Sequence, residues 1–177
     1  MIDEFGIDEL GRPCWDVYFM TLAFIVSQRS LDESTKHGTV CVNEDKTILS
    51  MGYNGPARGR DDKKVPQDRP EKYNHFLHSE SASIINAARH GICLNKSIFY
   101  VTGQPCEKCT SEIINVGAKK VIYAGVKSVC VDTDKQNIIQ EILANQSIEF
   151  IKFNSEQTSN VLRLLVTTKN YINQKIL

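Results

Sequence analysis

The apolar positions fall into runs of two periods. From Trp15 to about Arg29, the residues Val17, Tyr18, Phe19, Leu22, Phe24, Ile25 and Val26 cover most of a helical surface, which predicts a largely buried helix. Pro13 suits its first turn. Thr39 to Val42 and Thr47 to Tyr53 are short and β-rich, with Asn43-Glu44-Asp45-Lys46 as the loop of a hairpin. Asn54-Gly55-Pro56 stops the second strand. Ala57 to Asn74 is charged, carries Pro66 and Pro70 and shows no period, as expected of a long functional loop. Helices are then predicted at Ser79 to His90, Pro105 to Val116 and Lys135 to Ala144, alternating with strands at Ile98 to Thr102, Lys120 to Ala124 and Ile148 to Phe153. Gly91 and Gly117 lie where helices of this kind end. A hairpin followed by helix–strand units predicts an α/β fold: a mixed five-stranded sheet with helices on both faces. Beyond Asn154, one more helix is expected around Val161 to Tyr171.

Composition narrows the function more than the fold. With 177 residues the chain suits one domain with a sizeable core. Twenty-one basic residues balance 21 acidic ones, which speaks against binding nucleic acid in bulk but leaves room for a small anion held by two or three cations. Met1 to Cys14 is acidic and lacks a secretory apolar stretch, and no run approaches the length of a membrane span, so a cytoplasmic protein is expected. Cys14, Cys41, Cys93, Cys106, Cys109 and Cys130 are too sparse for a disulfide scaffold.

Candidate chemistry concentrates in His78-Ser79-Glu80 and Pro105-Cys106-Glu107-Lys108-Cys109, each at the start of a predicted helix. One imidazole and two thiolates make three zinc ligands and leave a fourth position for water. Glu80 is not needed as a ligand and is placed to take that water's proton. The paired segments match the H-x-E and P-C-x-x-C pattern of the zinc deaminases. Two other readings of the same residues stay open: a redox Cys pair, or a structural zinc site completed by Cys130, His75, His90 or Cys93.

With Trp15-Asp16-x-Tyr18-Phe19-Met20, Ser27-Gln28-Arg29-Ser30 and Gly52-Tyr53-Asn54-Gly55 added, the chain resembles the deoxycytidylate (dCMP) deaminases of the zinc-dependent cytidine deaminase superfamily. The resemblance implies a three-layer α/β/α cytidine-deaminase-like fold. It implies a single deaminase domain over 1–177, with its core at about 13–153 and a helical extension at 154–177. It implies one catalytic Zn2+ held by His78, Cys106 and Cys109, with Glu80 as proton shuttle. The reaction would be hydrolysis of dCMP to dUMP and ammonia, supplying dUMP for thymidylate synthesis. Asn54 would meet the sugar or base, Arg29 and Lys36 the 5′-phosphate, the Ser79 backbone N–H the base carbonyl, and the Gln104 carbonyl the departing amine. A homo-oligomer such as a hexamer is implied, with dCTP and dTTP as effectors in regulated members.

The chain departs from the family pattern at three places. Ser79 stands where the family usually has Ala, Pro56 follows Asn54-Gly55 one residue early, and Gly125 to Thr133 differs throughout. Ala57 to Asn74 holds no Cys or His, so the second, structural zinc of some relatives is not expected. Alternatives within the superfamily are a deaminase for another nucleotide, a nucleoside or tRNA adenosine. A non-catalytic zinc scaffold would have no use for Glu80.

Overall fold

The computed structural model describes residues 7–126 and 132–175, so Cys130 and most of the divergent stretch after Gly125 lie outside the described residues. Five strands form one sheet in the order β2-β1-β5-β6-β7, from β1 (Gly38–Val42), β2 (Ile48–Tyr53), β5 (Ile98–Gly103), β6 (Lys120–Val126) and β7 (Glu149–Lys152). β1 runs antiparallel to both β2 and β5, whereas β5, β6 and β7 are parallel. The sheet is therefore mixed, as the pattern predicts. A small ribbon of β3 (Gly55–Pro56) and β4 (Phe76–Leu77) closes the base of the long loop. Within that loop lie two single 3-10 turns, Asp62–Lys64 and Glu71–Asn74.

β1 and β5 are buried along their whole length, which is why they read as continuous apolar runs rather than alternating ones. Their two faces feed two cores. Val40, Val42, Ile98 and Tyr100 pack with α1 (Trp15–Ser27) and α5 (Ser155–Lys175). Cys41, Phe99 and Val101 pack with Ala87 of α2 (Ser79–Arg89) and Ile113 of α3 (Glu107–Asn115). α4 (Thr133–Leu143) leans on α3 and buries Ile139.

α1 is shorter and less enveloped than its pattern suggests. Val17, Phe19, Met20 and Ala23 are buried, but Trp15, Tyr18 and Ile25 remain exposed. Trp15 instead stacks along the helix on Phe19, with ring centroids 5.5 Å apart. The extended Cys14 is the N-cap, so Pro13 lies just outside the helix. α5 is longer than the Val161 to Tyr171 expected: it runs over Ser155–Lys175, with Val161, Leu164 and Leu165 packed on the α1 core.

Close packing of α2 on the sheet fixes the position of its N-terminus, and Gly52 is what permits it. A Cβ on Gly52 would lie 2.4 Å from the Ser79 carbonyl oxygen and 2.4 Å from the Ser83 amide nitrogen. Both are backbone atoms and cannot yield locally. Gly52→Ala is therefore expected to cost about 1–3 kcal/mol, read as a lower denaturant midpoint. Because α2 begins beside His78, bound zinc should fall as well; an unchanged midpoint and metal content would contradict this packing.

Candidate metal centre and active site

Two helix starts converge at the edge of a cavity. His78 is the N-cap of α2 and Cys106 the N-cap of α3, both in extended backbone (φ −72°, ψ 158° and φ −74°, ψ 173°). An N-cap side chain ordinarily bonds back to the free amides of its helix. Here neither does, so the imidazole and the thiol turn toward each other across the gap. Cys109 stands one turn into α3, and Pro105 lies just before the cap rather than in the helix.

His78 Nδ1 lies 3.4 Å from the Sγ of Cys106 and 3.4 Å from the Sγ of Cys109. All three donor atoms fall within 4.8 Å of one another. Tetrahedral zinc with bonds of about 2.0 Å to N and 2.3 Å to S sets N···S at about 3.5 Å, so the spacing and the donor set both fit the ion. Their mutual hydrogen bond and burial shape the thiols. Cys106 is pulled well below its usual range, to about 4, chiefly by the hydrogen bond from the Cys109 thiol and helped by His78. Cys109 is held up by making that bond and by burial. The first thiolate therefore forms readily and the second waits for a cation. Ser81 backs Cys109 at 3.8 Å and donates to Glu112, which holds the thiol's outer side.

No fourth His, Cys, Asp or Glu joins this cluster among the described residues. His90 caps the far end of α2, Cys93 is exposed, and His75 pairs with Glu71 and Arg60. None of these described residues therefore completes a closed structural site.

Glu80 lines the same cavity and is only 5 % exposed. Burial pushes its carboxyl above the ordinary range, opposed by His78 and by hydrogen bonds. Asn54, His37, Gly103 and Gln104 line it, together with Arg69 and Tyr73 of the long loop and Phe76 and Leu77 of β4. Burial holds the His37 imidazole down to about 4, so it is neutral at pH 7.

Asn54 is tied into a network that its motif does not announce. Its Nδ2 donates to Asp32 Oδ2 (3.2 Å) and to the Thr35 carbonyl (3.0 Å), and its Oδ1 accepts from the His37 amide (2.7 Å). Its donors are thus spent, and one acceptor lone pair on Oδ1 is left. Asp32 in turn takes both bonds of a buried ion pair, 2.8 Å and 2.8 Å from Lys72 Nζ. Lys72 comes from the Glu71–Asn74 turn of the long loop, and its side chain is 4 % exposed. The loop without Cys or His is pinned by a charge pair.

The sequence candidates are thereby sorted. His78, Glu80, Cys106, Asn54 and Gln104 line the cavity, Cys109 clusters with His78 and Cys106, and Ser79 bonds to Glu80. Arg29 and Lys36 are not among the described residues lining it. α1 ends at Ser27, and the turn after it carries Arg29 to the wall of another cavity, with Arg58, Arg60 and Arg89. Arg69, Lys72, Asp32, His37 and Thr39 were missed from sequence. Arg69 and Lys72 sit in an aperiodic charged segment where each reads as a solvated surface charge.

Residues 13–125 match the cytidine and deoxycytidylate deaminase zinc-binding region. The deoxycytidylate deaminase of Pongo abelii is 31% identical over 145 residues, covering 78% of this chain and 79% of that one. The chain belongs to the cytidine and deoxycytidylate deaminase family. The apo crystal structure of dCMP deaminase from the cyanophage S-TIM5 superposes with a TM-score of 0.60 at 25% identity, covering 78% of this chain and 96% of that one. The same phage protein has been crystallised with dCMP and dUMP, where the TM-score is 0.63 at 24% identity, over 77% of this chain and 94% of that one. The mixed sheet and the His78, Cys106 and Cys109 cluster are the family's fold and zinc site. Among the described residues, no helix is long and apolar enough to cross a membrane.

Proposed function

We propose that this family member hydrolyses dCMP to dUMP and ammonia. The observation that carries the reading is a non-ligand carboxylate, Glu80, sharing a cavity with a three-ligand zinc site. Zinc on His78, Cys106 and Cys109 would supply a Lewis acid that makes a water acidic enough to attack at neutral pH. Glu80 takes a proton from that water and passes it to N3 of cytosine, which makes C4 electrophilic. The water oxygen bonds to C4. Glu80 then carries the second proton to the amine, the C4–N4 bond breaks, and ammonia leaves the uracil ring. The Ser79 amide, at the first turn of α2, is assigned to the base carbonyl, and the Gln104 carbonyl to the departing amine. Asn54 has only an acceptor to offer, which suits a sugar hydroxyl.

The 5′-phosphate is assigned to Arg69, whose guanidinium lines the cavity and leans on the Tyr73 ring at 5.9 Å. Arg29 and Lys36 are not among the cavity's described lining residues, so neither carries the phosphate in this reading. Zinc-loaded protein offered dCMP, CMP, deoxycytidine and dCTP in parallel, followed by ultraviolet absorbance, tests the substrate. dCMP should turn over fastest, and Arg69→Gln should raise its KM by about tenfold with kcat little changed. Deoxycytidine turning over as well as dCMP would remove the phosphate from the reading.

We assign dCTP and dTTP, as effectors, to the four-arginine cavity at Arg29; displacement of the dCMP saturation curve by either nucleotide checks this. A homo-oligomer such as a hexamer would cover the exposed Trp15, Tyr18 and Ile25 of α1, and sedimentation reads its size. A cytoplasmic location and a single domain over residues 1–177 complete the proposal.

A further inference from the structure

The serine between the zinc histidine and the shuttle glutamate is not a passive spacer. Ser79 is fully buried, and its Oγ donates to Glu80 Oε2 at 2.9 Å. On its other side, the Ser79 Oγ accepts from Thr39 Oγ1 at 2.8 Å. Thr39 is also fully buried and sits on β1, held between β2 and β5. A hydroxyl has one proton to give, and with that proton directed at Glu80 only lone pairs remain for Thr39. Ser79 therefore donates to Glu80 and accepts from Thr39.

We infer that Thr39 and Ser79 are positioning residues that anchor one oxygen of Glu80 to the sheet and leave the other to move the proton. The inference deepens the deaminase reading and rests on it for its kinetic part. A carboxylate at the end of two methylenes can otherwise rotate and offer either oxygen, or neither, to the water. Engaging Oε2 from behind removes that freedom, and Oε1 becomes the working atom. The alanine usual in the family at position 79 offers no such anchor. Here the hydroxyl chain supplies it from the strand beneath.

Ser79→Ala removes the donor to Glu80, and Thr39→Val removes the group that orients the donor without changing shape. Thr39→Ser keeps the hydroxyl. The expected kinetics with dCMP are a fall in kcat of about tenfold for Ser79→Ala and about threefold for Thr39→Val, each with KM and zinc content unchanged. Thr39→Ser should keep wild-type rates. The double variant should be no slower than Ser79→Ala alone, because the Thr39 hydroxyl acts only through Ser79. A second readout needs no substrate: the 13C signal of the Glu80 side-chain carboxyl, assigned by its loss in Glu80→Gln. It should shift in Ser79→Ala and in Thr39→Val and stay put in Thr39→Ser. Wild-type kcat together with an unmoved carboxyl signal in Ser79→Ala would overturn the inference. If the wild-type protein left dCMP intact, the substrate reading would fail, and the carboxyl signal alone would decide the anchor.

Discussion

Glu80→Gln is expected to leave zinc bound and to lower kcat by about 10³- to 10⁴-fold. The glutamine has the same shape, and its side-chain carbonyl can still accept from the Ser79 hydroxyl, so the local packing survives. None of the three zinc-binding side chains is touched, which predicts metal content near one ion per chain. What disappears is proton transfer. In the proposed cycle, Glu80 acts first as base toward water and then as acid toward N3 and the amine. One amide removes both duties, and general acid–base catalysis is worth about 10²–10⁴-fold per group. KM should change little, because the carboxylate contributes to the transition state more than to ground-state binding. Cys106→Ala, by contrast, should lose the metal first and activity with it. A Glu80→Gln enzyme with near-normal kcat would show that the carboxylate is not the shuttle.

The parts of the molecule legible in sequence were those set by local chemistry. His78, Glu80, Cys106 and Cys109 announce themselves by spacing alone, and each sits within a turn of a helix start. The strand and helix order could be read because β1 and β5 are buried on both faces and the glycines after the helices stop them. What could not be read is long-range pairing. Asp32 and Lys72 are 40 residues apart, and each looks like an ordinary surface charge until the loop folds over. Thr39 and Ser79 are likewise 40 residues apart, and neither pattern nor propensity marks a hydroxyl that will face another across a sheet–helix interface. Arg29 shows the same limit from the other side. The family resemblance implies a phosphate role for Arg29, whereas the turn of Gln28–Ser30 carries it to the wall of another cavity. That turn is held by the Ser30 hydroxyl on the Asn54 carbonyl at 2.7 Å.

Lys72→Met is expected to be the most destabilising change in the long loop, at about 3–5 kcal/mol. The pair it breaks is almost wholly buried, with side chains 4% and 7% exposed, so removing the cation leaves a carboxylate in a poorly solvated place. Burial alone pushes Asp32 up. Lys72, the Ser34 hydroxyl and the amides of Thr35 and Ser34 together outweigh it and hold the group at about 2. A carboxyl held below its ordinary value stabilises the fold above about pH 4, and that contribution fades as the pH falls toward 2. The gap in stability between wild type and Lys72→Met should therefore be widest near neutral pH and should narrow between about pH 5 and pH 2. Asp32→Asn combined with Lys72→Met should recover part of the loss, since no charge is then stranded. The recovery will be incomplete, because Asp32 also accepts from Asn54 and from the Ser34 and Thr35 amides. Loosening Asp32 frees Asn54 at the cavity wall, so the single variant should also raise KM for dCMP. Denaturant midpoints for wild type, both single variants and the double across that pH range decide the matter. A gap that stays constant with pH would mean that the pair carries no net electrostatic stabilisation and that the loop is held by packing alone.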